Sequence, residues 1–185
     1  MKRRPAFIPQ RRPIFLGCEG PSEVGYGALL NRFARDKDVH IHIHVEPLQP
    51  GAGDPFELVR RAVQRVGDIE RRRESFACKA LLIDIGEPDK MAAATRLASQ
   101  AGISHLIWQV PDHEALLLRH FDGCQDHRPP KGESMAALRR RWPEYRKGSS
   151  ASQLSERIPF ESLVRVCAVE ARLRDFVIAI GLLSP

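Results

Sequence analysis

The sequence predicts one α/β domain with a mostly parallel, Rossmann-like sheet flanked by helices. Three observations carry this reading. Strand-like apolar runs alternate with stretches of helical periodicity along the chain. The connections between them are short. The run Ala80-Leu81-Leu82-Ile83-Asp84 is apolar up to its terminal acid, as a central strand covered on both faces requires.

Each element has its own signal. Residues 1–13 read as a basic tail, and the domain proper as 14–185. Ile14-Phe15-Leu16 is a strand that ends in the tight turn Gly17-Cys18-Glu19-Gly20-Pro21. Tyr26, Leu29, Leu30 and Phe33 then recur at helical spacing. Val39–Val45 alternates apolar residues with His40, His42 and His44, the pattern of an edge or near-edge strand with one polar face. Asp54-Pro55-Phe56-Glu57 starts a helix, with an acid at the cap and Pro at the first position. Its expected buried stripe is Phe56, Val59, Val63, Val66 and Ile69. Arg71-Arg72-Arg73 complements the dipole at its end. After the central strand, Asp89 opens a helix carrying Met91, Ala94, Leu97 and Ala98, which Gly102 stops, and Ser104–Val110 is a fourth strand. Pro111-Asp112 starts a helix through Leu116, Leu117 and Leu118. Residues 122–158 read as an irregular basic insertion with one short helix at Ser134–Arg141. Phe160, Leu163, Val164, Cys167, Ala171 and Ile180 trace one closing helix.

Composition sets the bounds. The chain has 185 residues, 43% hydrophobic and 28% charged, enough for one core and too few for two full domains. No run approaches eighteen apolar residues, and MKRRPAFIPQRRP lacks the apolar region of a secretory signal, so neither a membrane span nor export is expected. Cys18, Cys78, Cys124 and Cys167 are widely spaced with no CxxC, which predicts reduced thiols and a cytoplasmic setting. The net charge of +6 is unevenly spread. The tail has five basic groups (Lys2, Arg3, Arg4, Arg11 and Arg12) and no acid; residues 14–127 sum to −4 and residues 128–147 to +5. An acidic body between basic segments suits a polyanion whose phosphates touch the basic parts while an acidic centre holds metal; it equally suits a soluble surface with a tail.

In an open α/β sheet, ligands bind beyond the carboxyl ends of the strands. The candidates there are Glu19, after the first strand, and Asp84 with Glu87, after the central one. Such carboxylates can share Mg2+ or Mn2+, hard ions that take oxygen ligands and serve phosphoryl chemistry. Acids at strand ends also cap the following helix, so spacing alone leaves both readings open. His40, His42 and His44 are explained by an exposed strand face. His120, Cys124 and His127 lack a fourth soft ligand for zinc. Trp142 and Tyr145, set among Arg139, Arg140, Arg141, Arg146 and Lys147, suit either stacking on single-stranded nucleic acid or anchoring of a loop.

Four segments in order resemble a known family. Phe15-Leu16-Gly17-Cys18-Glu19-Gly20-Pro21-Ser22-Glu23 with Tyr26 is similar to the EG-x-(T/S)-E-x-x-Y opening of RloB-like proteins, a branch of the Toprim fold. Leu82-Ile83-Asp84-Ile85-Gly86-Glu87 resembles the family's strand ending in Asp-x-Asp-Glu. Pro111–Phe121 resembles its Asn-Pro-x-Phe-Glu-x-Trp-Leu-Leu-x-His-Phe helix, and Tyr145-Arg146-Lys147-Gly148 its Tyr-x-Lys segment. The resemblance implies a Toprim core, a Mg2+- or Mn2+-dependent nuclease-type activity and a role in prokaryotic antiviral defence. It implies Glu19 as general acid or base, with Glu23 helping to order metal-bound waters. Glu19, Asp84 and Glu87 would hold the ion; Glu114, His120, Tyr145, Arg146 and Lys147 would meet the substrate. Gly86 stands where the family has its second Asp, which makes Glu87 the expected substitute. The Asn, Phe and Trp of the helix motif are also absent. These departures keep a second reading alive, a catalytically degenerate module that binds nucleic acid or a partner ATPase. A third is an unrelated small-molecule α/β enzyme, though no G-x-G-x-x-G or G-x-x-x-x-G-K-[ST] supports a nucleotide cofactor.

Overall fold

The computed structural model describes residues 10–48 and 53–185, so Lys2, Arg3 and Arg4 of the expected tail lie outside the described residues. The chain runs β1 (Arg12–Cys18), α1 (Pro21–Asp36), β2 (Ile41–Pro47), α2 (Pro55–Glu70), β3 (Cys78–Asp84), α3 (Pro88–Gln100) and β4 (His105–Gln109). It continues through α4 (His113–Arg119), α5 (Ser134–Arg141), α6 (Ala151–Ser155), α7 (Phe160–Cys167) and α8 (Ala171–Ala179). All four strands are parallel, in the order β2-β1-β3-β4. β2 is thus an edge and β3 is central, as the sequence predicts. The chain leaves β1 towards β2 and returns to β3 on the other side. This reversal opens a crevice at the carboxyl ends of β1 and β3.

Strand alternation divides the core between the two sheet faces. Ile14, Leu16, Ala80 and Leu82 pack under α1 and the C-terminal helices. Phe15, Leu81 and Ile83 pack under α2 and α3. Asp54 caps α2 as expected, accepting from the backbone N–H of Phe56 and Glu57. The buried stripe of α2 differs from expectation. Its fully buried apolar residues are Leu58, Val59, Ala62 and Val66, while the expected Val63 and Ile69 pack half-buried against the same cluster and Phe56 is half-buried.

Three further expectations are corrected. Arg12 belongs to β1, not to a tail, and its guanidinium donates to the Ile180 carbonyl at 2.9 Å. The stretch 122–158 holds a second helix, α6, whose N-cap Ser150 and Gln153 bond reciprocally in a capping box. The single closing helix is two, α7 and α8. The chain turns at Glu170, whose carboxylate reaches Arg119 and Arg128, and Val164 is left 47% exposed. No helix among the described residues is long and apolar enough to cross a membrane.

Candidate functional site

The crevice is built from two helix starts and the end of the central strand. Glu19 follows β1, and its backbone N–H donates to the Leu82 carbonyl of β3 at 3.2 Å, which locks the first turn onto the central strand. Its carboxylate Oε2 accepts from the Asp84 backbone N–H at 2.9 Å. Gly20 then caps α1, and Glu23, in the first turn, accepts from the Gly20 N–H through Oε2 at 3.1 Å. Negative charge is favoured at that helix end, which is the structural reason for Glu23. From the far side, Asp112 caps α4 by accepting from the Ala115 N–H at 3.0 Å, and α4 brings His113 and Glu114 to the same crevice. Glu19, Glu23, Asp84, His113, Glu114 and Lys147 line one cavity of about 290 Å3. A larger cavity of about 470 Å3 shares Gly20 and Pro21 with it and runs between α1 and residues 148–151. The chain can close this tightly only because Gly25 lacks a side chain, since a Cβ there would fall on the Ser149 carbonyl oxygen.

The electrostatics centre on Asp84. Its Oδ1 is buried and has no hydrogen-bond partner among the described residues. Burial, reinforced by the charges of Glu23, Glu19, Asp112 and Glu114, pushes its carboxyl up to about 8. Burial also raises Glu19, against the opposing bond from the Asp84 N–H, and raises Glu23 despite the Gly20 N–H and the nearby Lys147 ammonium. His113 moves the other way: burial lowers it to about 4, so it is neutral near pH 7. Gln109 Nε2 donates to His113 Nδ1, which places the ring proton on Nε2, and that buried atom has no partner. Lys147 Nζ stands 3.8 Å from Glu114 Oε1 and is the one cation that lines the cavity among the described residues. The arrangement gathers carboxylates around one buried oxygen without a partner among the described residues, Asp84 Oδ1, with the Lys147 ammonium exposed at the rim and the His113 Nε2–H buried.

Several expected site residues are elsewhere. Glu87 caps α3 with an exposed side chain 3.6 Å from Lys90, so it cannot replace a missing carboxylate in the crevice. Gly86 is glycine for a packing reason: a Cβ there would lie 2.7 Å from Pro55 Cγ, at the start of α2. Gly86→Asp is therefore expected to destabilise the fold by about 1–3 kcal/mol, through overpacking, and to leave Mn2+ affinity unimproved. Thermal unfolding and calorimetry check this; tighter Mn2+ binding by the variant would refute it.

His120 does not reach the cavity. Ser162 gives its hydroxyl proton to the Pro159 carbonyl, so His120 Nδ1 donates to Ser162 Oγ while Nε2 accepts from the Tyr26 hydroxyl, both at 3.0 Å. Burial lowers its pKa to about 3, and this histidine is a neutral core residue. Tyr145 is also buried. Its hydroxyl bonds Ser22 Oγ at 3.5 Å and Glu114 Oε1 at 3.4 Å, holding Glu114 from behind. Trp142 packs on it at 5.2 Å, so these aromatics anchor the loop and offer no stacking platform. Arg146 is exposed and does not line the cavity. The sequence reading passed over Asp112 and His113, although they directly follow the fourth strand, where the crevice rule points.

Among the described residues no three His, Cys, Asp or Glu side chains are already gathered as the ligands of one ion. Comparison with family models, with curated proteins and with solved structures gives no match to this chain.

Proposed function

We propose that the chain is a divalent-cation-dependent protein that cleaves or otherwise processes nucleic-acid phosphodiesters, of the RloB-like Toprim kind, working in the cytoplasm in antiviral defence. The observation that carries the reading is Asp84 Oδ1, a buried, unpartnered carboxylate oxygen among four other acids. An all-oxygen donor set of this charge suits Mg2+ or Mn2+, and Asp84 with Glu19 are the residues that would hold it. Mg2+ commonly takes only one or two protein carboxylates and fills its shell with water and phosphate, so the lack of a ready-made trio of ligands fits that habit. When bound, the ion supplies charge stabilisation at the phosphate oxygens. The remaining roles belong to the chain. Glu19, fixed by the Asp84 N–H and raised by burial, exchanges a proton with the attacking or leaving group. Lys147 orients the phosphate, and Glu23 keeps the α1 start rigid. Arg139, Arg140 and Arg141 of α5 and Arg146 are exposed, with no acidic partner among the described residues, and supply the path for the backbone.

The test is incubation with single- and double-stranded DNA and RNA with Mn2+ and with chelator. Chelator-sensitive cleavage that Glu19→Gln lowers by about 10²–10⁴-fold is the expected result. A second reading, a binding module without cleavage, is favoured by Gly86 in place of a second motif carboxylate and by Glu87, which is exposed beside Lys90 instead of lining the crevice. It predicts binding with no cut under any metal. In either case Arg139→Ala and Arg140→Ala should each flatten the slope of log affinity against log salt by about 0.7–0.9. Unchanged slopes would reduce the basic face to solvated surface.

A further inference from the structure

A second charged depression lies along the edge strand β2. One cavity of about 390 Å3 and another of about 180 Å3 share His44, Ile69 and Arg73, which makes them one trough between β2, the end of α2 and the start of β1. No described residue lines both this trough and the carboxylate crevice. Its acids are largely committed. Glu46 meets Arg65 at 3.2 Å and His44 at 3.2 Å, and Asp68 pairs with Arg71, which leaves Glu74 as the one lining acid with no cation. Its cations are not. Arg11, Arg72 and Arg73 have no acidic partner among the described residues. The floor is aromatic, with Phe76 5.9 Å from the His44 ring and 5.4 Å from Phe15.

The dipole of α2 favours cations at and just past its carboxyl end, where Arg71, Arg72 and Arg73 stand. It does not explain Arg11 from the start of β1 or His42 from β2, which converge on the same place. We infer that this trough is a phosphate-binding site, taking the phosphoryl groups of a small polyphosphate compound or of a nucleic-acid backbone. Guanidinium groups are the natural partners for such anions, and three from two elements give more than one point of contact. The field in the free protein agrees: besides burial, His44, Arg11 and Arg73 together lower the pKa of His42. The inference does not rest on the carboxylate crevice and can fail or succeed without it.

The experiment follows the imidazole resonances of His42 and His44 by NMR in the whole chain, without divalent metal. Pyrophosphate and a ten-nucleotide oligothymidylate are titrated separately and then in competition. Shifts of both resonances with pyrophosphate, and about tenfold or greater weakening in the Arg11→Gln/Arg73→Gln variant, are expected. Oligonucleotide shifts that pyrophosphate reverses identify the backbone as the source; saturation by pyrophosphate alone identifies a small compound. The exposed arginines leave folding intact, which circular dichroism verifies. The site is refuted by still resonances with both probes, or by equal affinity in the folded double variant.

Discussion

Asp84→Asn is expected to stabilise the protein by about 5 kcal/mol at pH 9 relative to its effect at pH 4, the gain growing by about 1.4 kcal/mol per pH unit in between. For a chain of this size that is a rise in Tm of about 10–20 °C at the higher pH. The cause is the carboxyl raised to about 8 by burial and by Glu23, Glu19, Asp112 and Glu114. The unfolded chain releases this proton near pH 4, so between about pH 4 and 8 the folded state binds more protons than the unfolded one. Stability from the neutral carboxyl is therefore complete below pH 4 and is lost as pH rises through 8. Asn removes the proton and with it the slope. The same variant should lose Mn2+-dependent cleavage, and Mn2+ should raise the Tm of the wild type at pH 8 but not that of the variant. A wild-type unfolding curve that is flat from pH 5 to 9 would show that Asp84 is not held in a field of carboxylates. Gains in stability on removing a charged group are the signature of a site kept for function at a cost in folding.

Local pattern made Glu19 and Asp84 legible. Each directly follows an apolar strand, and strand ends face the crevice whatever the loops do. Glu23 was legible for a similar reason, as the acid in the first turn of a periodic helix. What local pattern could not show depends on contacts between distant residues. In α4 nearly every side chain is buried, so no polar face tells Glu114, which lines the cavity, from Arg119, which is enclosed by the core. His120, just past that helix, has its role set by Tyr26 and Ser162, 94 and 42 residues away. Gly86 reads as a lost carboxylate until Pro55 is placed against it, 31 residues earlier in the chain. Tyr145 and Trp142 look like a stacking pair beside arginines, and only the position of Ser22 and Glu114 shows that they face inward. The break between α7 and α8 is equally invisible in the periodicity; at that turn Glu170 pairs with Arg119 of α4, 51 residues earlier in the chain.

That ion pair underlies the second large effect. Glu170→Ala is expected to cost about 3–5 kcal/mol, because it leaves a buried guanidinium without its counter-charge. Arg119 is fully buried, with Nε 2.7 Å from Glu170 Oε1 and Nη1 donating to the Val110 carbonyl at 3.0 Å, while Nη2 has no partner. Burial already lowers this group to about 10. Glu170 also holds Arg128 at 3.1 Å, so the turn before α8 gathers two cations on one carboxylate. The Val110 bond and the Glu170 pair together fix α4 at the end opposite Asp112, and so fix where His113 and Glu114 enter the crevice. Replacing both partners by apolar residues of similar size, Arg119→Met with Glu170→Leu, should recover most of the lost stability, since a buried pair is worth little net of its desolvation. Urea unfolding of the two single variants and the double variant measures the coupling. Equal losses in Glu170→Ala and in the double variant would mean that packing, not the unpaired charge, sets the cost. If stability returns in the double variant but cleavage does not, the pair serves to hold α4 in register for the site.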